Sequence, residues 1–413
     1  MSDERPPRGS TPEPARTSES EGEHAESAPL LLARTRATRK SQLAEAPKKA
    51  VEVLRRMTVA PAPPRPKAPV VPSVRGALPI VANTRLGAFG LLVASLLVVV
   101  AVFADVIASD YPLICKVHGK TWLLPSVTRP PELVAMGRAR IAAEADWKLD
   151  TPVGHGAMSK AEPEQVDVPR PDGSKMRIAV APAPLVRPLS PGHLLGTDRE
   201  GRDVLARMVH GTRSYLVFAL VAVVAANLLG AMFGGVAGLF GGATDMVVGR
   251  VIETVSAFPP LVLVLGVQAA VPKPTLATLF LAIAVTRWPQ IARLVRGEVL
   301  LASTREYALA ARALGASPLR VLRRHIAPNI RGPLIVSATV GVSAVVLTEA
   351  SLDFLRIGVP GGAASWGETM SEFRDAPMAW WLLAFPGALL FVTVIGLNLV
   401  GEAFRDALDP RAH

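Results

Sequence analysis

The chain has 413 residues, of which 50% are hydrophobic and only 19% charged, and it carries a single cysteine, Cys115. Soluble proteins average about 25% charged residues, and the mean hydropathy here is positive, +0.34, so a membrane protein is the expectation. One cysteine excludes an internal disulfide framework and any multi-cysteine metal centre. The net charge of +11 does not point to nucleic acid, because aromatic residues are only 5% and the basic groups flank apolar runs instead of building one surface.

Residues 1–85 read as a disordered, basic tail. The first 26 hold seven acidic and three basic residues, and residues 34–85 hold twelve basic residues against Glu45 and Glu52. The tract PAPPRPKAPVVP within them is extended and solvated by composition. Residues 86–107 form the first apolar run. Its length gives about 33 Å of helix, a match for a hydrocarbon core of about 30 Å. The polybasic segment before it predicts a cytoplasmic N-terminus. Residues 108–193 leave the membrane as an external loop insert, Pro-rich, near-neutral and expected to be small and β-rich.

The core, residues 194–413, holds five further apolar segments: 215–233, 251–271, 276–294, 334–355 and 380–400. An all-α membrane protein with six transmembrane helices and both termini cytoplasmic follows. The charge pattern supports that topology. The segment between the fourth and fifth helices carries nine arginines against Glu298 and Glu306, net +7, whereas residues 358–379 carry net −2.

Residues 302–329, ASTREYALAARALGASPLRVLRRHIAPN, carry the most information. Ser303 and Glu306 have the S-x-x-E spacing of a capping box. Tyr307 to Leu314 are good helix formers, Gly315 supplies a left-handed stop, and Ser317-Pro318 restarts a helix that Pro328 ends. The expected result is a helix, a sharp turn and a second helix on the cytoplasmic side. The small side chains of the first, Ala308, Ala310, Ala311 and Ala313, let another backbone approach closely.

This segment resembles the EAA loop of bacterial ABC-type importer permeases, with Ala310-Ala311, Gly315 and Pro328 in the matching places. It departs from that pattern at Leu309, where the acidic residue stands in the family, and at His325 and Ala327. ALGAS followed by RHIAPN is similar to the dipeptide/oligopeptide/nickel branch. The pieces HLLGTDREGRDVLARMVHGTRSYL, AFPPLVL, ARLVRGEVL, SWGE and FRDALDPR match that family in order over residues 193–411. The resemblance implies a type I ABC importer permease fold and a second-type permease subunit for peptides or similar small solutes, in a bacterial inner membrane. It implies a second permease subunit, two ATP-binding subunits and an extracytoplasmic solute-binding protein as partners, with ATP and Mg used by the ATPases and no cofactor held by this chain. The coupling loop would then comprise Glu306, Ala310, Ala311, Arg312, Gly315, Ala316, Ser317 and Pro328. A membrane scaffold or sensor, and an ATP-independent channel, are the alternatives.

Other motifs add less. GAASWGET (residues 362–369) has Walker-A spacing, but Glu368 stands where a phosphate-binding lysine is required. Gly230, Gly234 and Gly238 recur every fourth residue and predict close helix packing. Glu349 and Asp353 lie one helical turn apart near the outer end of the fifth segment, where they would line the solute path and favour a cationic group such as a peptide N-terminus; the bland alternative is local pairing, for example Asp353 with Arg356. Glu253 sits near the inner end of the third segment. The seven histidines include no close pair along the chain. No metal ligand set and no nucleophile–base arrangement is expected.

Overall fold

The computed structural model describes residues 74–160, 164–169, 175–180, 185–273, 275–358 and 364–408. The tail up to residue 73 therefore lies outside the described residues. Its last stretch does not: Val74–Asn83 is a helix (α1) where the sequence predicts disorder. The reason is a short apolar face. Ala77 and Val81 are buried against Val400, Phe404, Ala407 and Leu408 of the C-terminal helix, an anchor too short to register as a periodic run.

Helix α2, Arg85–Val102, starts at Thr84, whose side chain accepts from the Gly87 amide, and is followed by the short α3, Ala104–Ile107. The insert then builds β1 (Ile114–Val117), β2 (Lys120–Leu123), α4 (Pro125–Thr128), α5 (Pro131–Glu144) and β3 (Ala145–Leu149). Strand order is β2-β1-β3, all antiparallel, and a separate hairpin joins β4 (Glu164–Pro169) to β5 (Lys175–Val180). Cys115 is buried in the insert's own small core with Val117, Leu133 and Ile141. The insert is thus mixed, with a helical segment, Pro131–Glu144, kinked at the non-helical Gly137, that the sequence reading did not contain.

The membrane core is helical. Helix α6 runs Val204–Phe240, 37 residues, eleven more at its start than the apolar segment indicates. The extra turns carry Arg207, His210 and Arg213, which bond to Glu368, the Ala108 carbonyl and Asp105. Then follow α7 (Gly242–Ser256), α8 (Pro260–Ala270), α9 (Leu276–Ser303), α10 (Glu306–Ala313), α11 (Pro318–Val321), α12 (Arg331–Phe354), α13 (Trp366–Glu372) and α14 (Trp381–Leu408).

Four of these, α2, α6, α12 and α14, are long and apolar enough to cross a membrane, and α7 with α8 makes a fifth when the pair is taken together. That pair corrects the third predicted segment, which is not straight: it bends by 85° at residues 257–259. Pro259 and Pro260 lack amide hydrogens and push the residue before them out of helical geometry. The fourth predicted segment is a continuous 28-residue helix, α9, interrupted in polarity but not in backbone by Arg287 and Pro289. Those residues keep it below the apolarity of the other spans. Its place in the bundle comes from packing: Gly230, Gly234 and Gly238 of α6 face Ile291, Ala292 and Val299 of α9, and a Cβ at Gly230 would stand 2.6 Å from the Ile291 side chain. Only glycine lets the two backbones approach this closely.

Candidate functional site: an elbow at one end and an acidic mouth at the other

Helix α12 has 24 residues and so spans about 36 Å between two contrasting regions. At its N-terminal end stands the elbow. Helix α10 stops in a Schellman turn: the Ala316 amide donates to the Ala311 carbonyl at 3.0 Å, and the Gly315 amide to Arg312 at 2.9 Å. Gly315 sits at φ +81°, where a side chain would be strained. Ser317 and Pro318 then open α11, which passes into a π-helical turn, Leu322–Ile326, and Pro328 lies in the turn before α12.

One face of this elbow is fixed to the bundle. Ala308, Val321, Ile326 and Ile330 are buried with Ala226 of α6 and Val295, Val299 and Ala302 of α9. The other face is bare: Leu309 and Leu319 are about half exposed and Leu314 is 89% exposed at the tip. Glu306, Ala310, Arg312 and Ser317 are exposed, and Ala311 and Ala316 are half-buried.

The capping box does not form. Helix α9 continues through Ser303, so α10 begins at Glu306 behind Arg305, which makes no side-chain cap. The Ser303 hydroxyl is buried without a hydrogen-bond partner. The Ser317 side chain likewise makes no cap bond, although its backbone and Pro318 stand as the sequence predicts.

At the other end of α12, three distant segments meet. Asp203 caps α6 by accepting from the Ala206 amide at 2.8 Å. Asp198 accepts from the Arg202 amide at 2.9 Å and from its Nε at 2.6 Å. Arg202 also reaches Glu372 of α13 at 3.1 Å, and the Arg199 amide donates to the same carboxylate at 2.9 Å. Arg207 is fully buried and donates to Glu368 at 2.9 Å and to Thr369 at 3.1 Å. Burial first, and the neighbouring Asp198 charge second, push the Glu372 carboxyl above the usual carboxylate range, against the pull of the Arg199 amide and of Arg207 and Arg202. The Walker-like piece is therefore half of an ion-pair network, with Glu368 paired to arginine. Its first two residues, 362 and 363, lie outside the described residues.

Beside this network Tyr215 stacks on Trp366 with ring centroids 4.7 Å apart. The Tyr215 hydroxyl donates to Asp353 at 2.9 Å and accepts from the Gly367 amide at 3.1 Å. Ser365 also donates to Asp353, and its hydroxyl caps α13 by accepting from the Glu368 amide at 3.1 Å. Asp353 is not paired with Arg356, which instead joins Asp375 and Ser371. Glu349 is buried on the same face of α12. Glu253 pairs with Arg250 at 3.0 Å on an exposed surface.

Two features escape a reading along the chain. His155 of the insert and His193 of the core stack at 4.5 Å, and Asp203 holds His193 at 2.9 Å, so the histidines do include a close pair in space. Asp198, Arg202 and Arg207 form a buried network with Glu372, which lies 170 residues beyond Arg202 along the chain. The only hint was charge density just before and within the start of an apolar helix. Among the described residues no group of three or more potential ligands is arranged for a metal ion.

Comparison with known proteins agrees with this architecture. The family model described as "binding-protein-dependent transport system inner membrane component" matches residues 214–413. An oligopeptide transport system permease protein of Bacillus subtilis is 38% identical over 226 residues, 54% of this chain and 74% of the relative. A probable D,D-dipeptide transport system permease protein of Escherichia coli is 36% identical over 226 residues, 54% of this chain and 76% of the relative. A putative peptide transport system permease protein of Brucella suis is 39% identical over 220 residues, 53% of this chain and 74% of the relative. The chain thus belongs to the family of binding-protein-dependent transport system inner membrane components, as a multi-pass permease subunit of an ABC-type importer with the type I permease fold, and not as an enzyme.

Proposed function

We propose that this permease carries peptides, pairs with a second, similar permease to complete the path, and is driven by two ATP-binding subunits that dock on the elbow. A solute-binding protein delivers peptide at the opposite end, where Glu349 and Asp353 line the route. ATP and Mg belong to the ATPases, and this chain binds neither. The net +7 of its segment supports an arginine-rich elbow, and with it both termini, on the cytoplasmic side.

The observation that carries the reading is the elbow's two-sidedness. A projection with an exposed apolar tip at Leu314, and a root continuous with the packed cores of α6 and α9, transmits a push at its tip to two membrane helices at once. A flexible connector would absorb that push. ATP-driven closure of the two ATPases would draw paired elbows together and open the path outward, and hydrolysis would reset it.

The test is co-purification and uptake. The wild-type chain is expected to retain an ATPase subunit and to support binding-protein-dependent, ATP-dependent uptake of radiolabelled peptide. Gly315→Asp is expected to reach the membrane in normal amount and to lose both. Uptake that continues without ATP would assign the chain to channels, and normal coupling in the Gly315 variant would remove the elbow from the mechanism.

A further inference from the structure

The acidic mouth contains a cavity of about 1070 Å³ between α6, α9, α12 and α13. Its charges do not balance once each is followed to its partner. The lining arginines are all engaged: Arg213 with Asp105 at 2.6 Å, Arg202 with Asp198 and Glu372, and Arg199 and Arg356 with Asp375. Three lining carboxylates are engaged as well: Glu368 with Arg207, Glu372 with Arg202, and Glu200 with Lys160 at 3.0 Å.

Glu349 and Asp353 remain. Asp353 is held by two neutral hydroxyls, Tyr215 and Ser365, which orient it and bring no positive charge to it. Glu349 is 6% exposed and has no hydrogen bond or ion pair among the described residues, and its Oε2 is fully buried. A buried acid either keeps its proton or, as a carboxylate, costs several kcal/mol unless it meets a cation or a donor, so an arriving ammonium group is what would stabilise the charged form here. Both acids line the same cavity, one helical turn apart. The rest of the wall near them is apolar: Phe218 and Phe280 meet edge to face at 6.5 Å, with Val221 and Leu279 beside them.

We propose that Glu349, with Asp353 oriented beside it, binds the ammonium group of an organic cation whose apolar arm lies against Phe218 and Phe280. On the importer reading above, this is the free amino end of a peptide in passage. The carboxylate supplies the charge partner that the arginines of the rim do not leave free. The aromatic wall excludes water from the pair and strengthens it.

The experiment places a thiol in the cavity wall at Ala277, which is exposed and lines it, and follows its reaction with N-ethylmaleimide in membranes holding the assembled transporter. The parental chain, whose Cys115 is buried, gives the blank. Phenethylamine is expected to slow the labelling, whereas 3-phenylpropionate, of similar size and opposite charge, is not. Glu349→Gln is expected to raise the amine concentration needed by about tenfold, the loss of one charge-assisted contact. Equal protection by both compounds, protection by neither, or an unchanged requirement in the Glu349 variant would overturn the proposal. Should that variant fail to reach the membrane, the two compounds on the Ala277→Cys chain with Glu349 intact decide alone. Peptide uptake, measured separately, tests the importer reading, so either can fail without the other.

Discussion

The elbow and the mouth stand at the two ends of α12, and both are made by the same backbone device with different side chains. Helix α10 ends in a Schellman turn at Gly315, and α12 ends in another, with the Ile357 amide donating to Leu352 and the Arg356 amide to Asp353, both at 2.9 Å. The left-handed residue is glycine in the first and arginine, at φ +61°, in the second. At the elbow nothing lies within 4 Å of where a Gly315 side chain would stand, so no side-chain contact offsets left-handed strain and glycine is what fits. At the mouth the arginine's strain is offset by what its guanidinium reaches, Ser371 and Asp375, and that pairing holds the Asp375 carboxyl below the usual range. One end is built to project and the other to be tied down.

If the mouth is the tied region, breaking its buried charges is the largest perturbation available. Arg207→Ala would take its arginine from Glu368 and one of two from the buried Asp198, which keeps Arg202, and removing one partner of a buried ion pair costs about 3–5 kcal/mol. Thermal unfolding of the detergent-solubilised protein is expected to show that loss. Glu368→Gln should cost clearly less, because the Glu368 side chain is 40% exposed and water replaces part of what is lost. Equal losses would mean that the network is not buried in the membrane-embedded protein.

The two turns sharpen the contrast at a smaller scale. Gly315→Ala puts a Cβ into left-handed geometry and should cost about 1 kcal/mol. Arg356→Gly relieves that strain but gives up an exposed ion pair and adds freedom to the unfolded chain, so the net change is expected to be smaller than that of Gly315→Ala. The glycine stop at the elbow was legible in the sequence, because Gly after a run of helix formers has one common meaning. The arginine stop was not, because its reason lies in Asp375 and Ser371, which reach it only in the folded molecule.

The same limit explains the rest of what the sequence did and did not reveal. Apolar length located the spans, and the ordered motifs gave the fold, but the partners of charged residues across 160 residues of chain have no local signature. Arg207 with Glu368 is one case and Tyr215 with Asp353 another. Ser303 is the reverse: its local signature was present, but tertiary packing extended α9 past it. A capping serine would cost about 1 kcal/mol on truncation. A buried hydroxyl without a partner should cost nothing to remove, so Ser303→Ala is expected to be neutral or stabilising. Loss of stability would restore the capping role.

The smallest effect is expected where the insert meets the core. The His155 ring lies over His193, faces Arg138 at 2.9 Å through Nδ1 and donates from Nε2 to the Gly192 carbonyl at 3.1 Å. Burial, then Arg138, then the neighbouring histidine hold its pKa below the ordinary imidazole value, with Asp203 and the Gly192 carbonyl opposing them. The folded state therefore binds fewer protons at this site than the unfolded chain does. Stability contributed by neutral His155 is full above the ordinary imidazole pKa of about 6.5 and is lost as pH falls through that value toward the lowered one. Protonation would turn Nδ1 from an acceptor into a donor aimed at a guanidinium. Protection against hydrogen exchange in residues 150–156 and 190–196, taken relative to the base-catalysed intrinsic rate at each pH, is expected to fall between pH 7.5 and 5.5. His155→Gln should flatten that response while leaving exchange in α6 unchanged, since the histidine anchors the insert and Asp203 caps the helix independently of it.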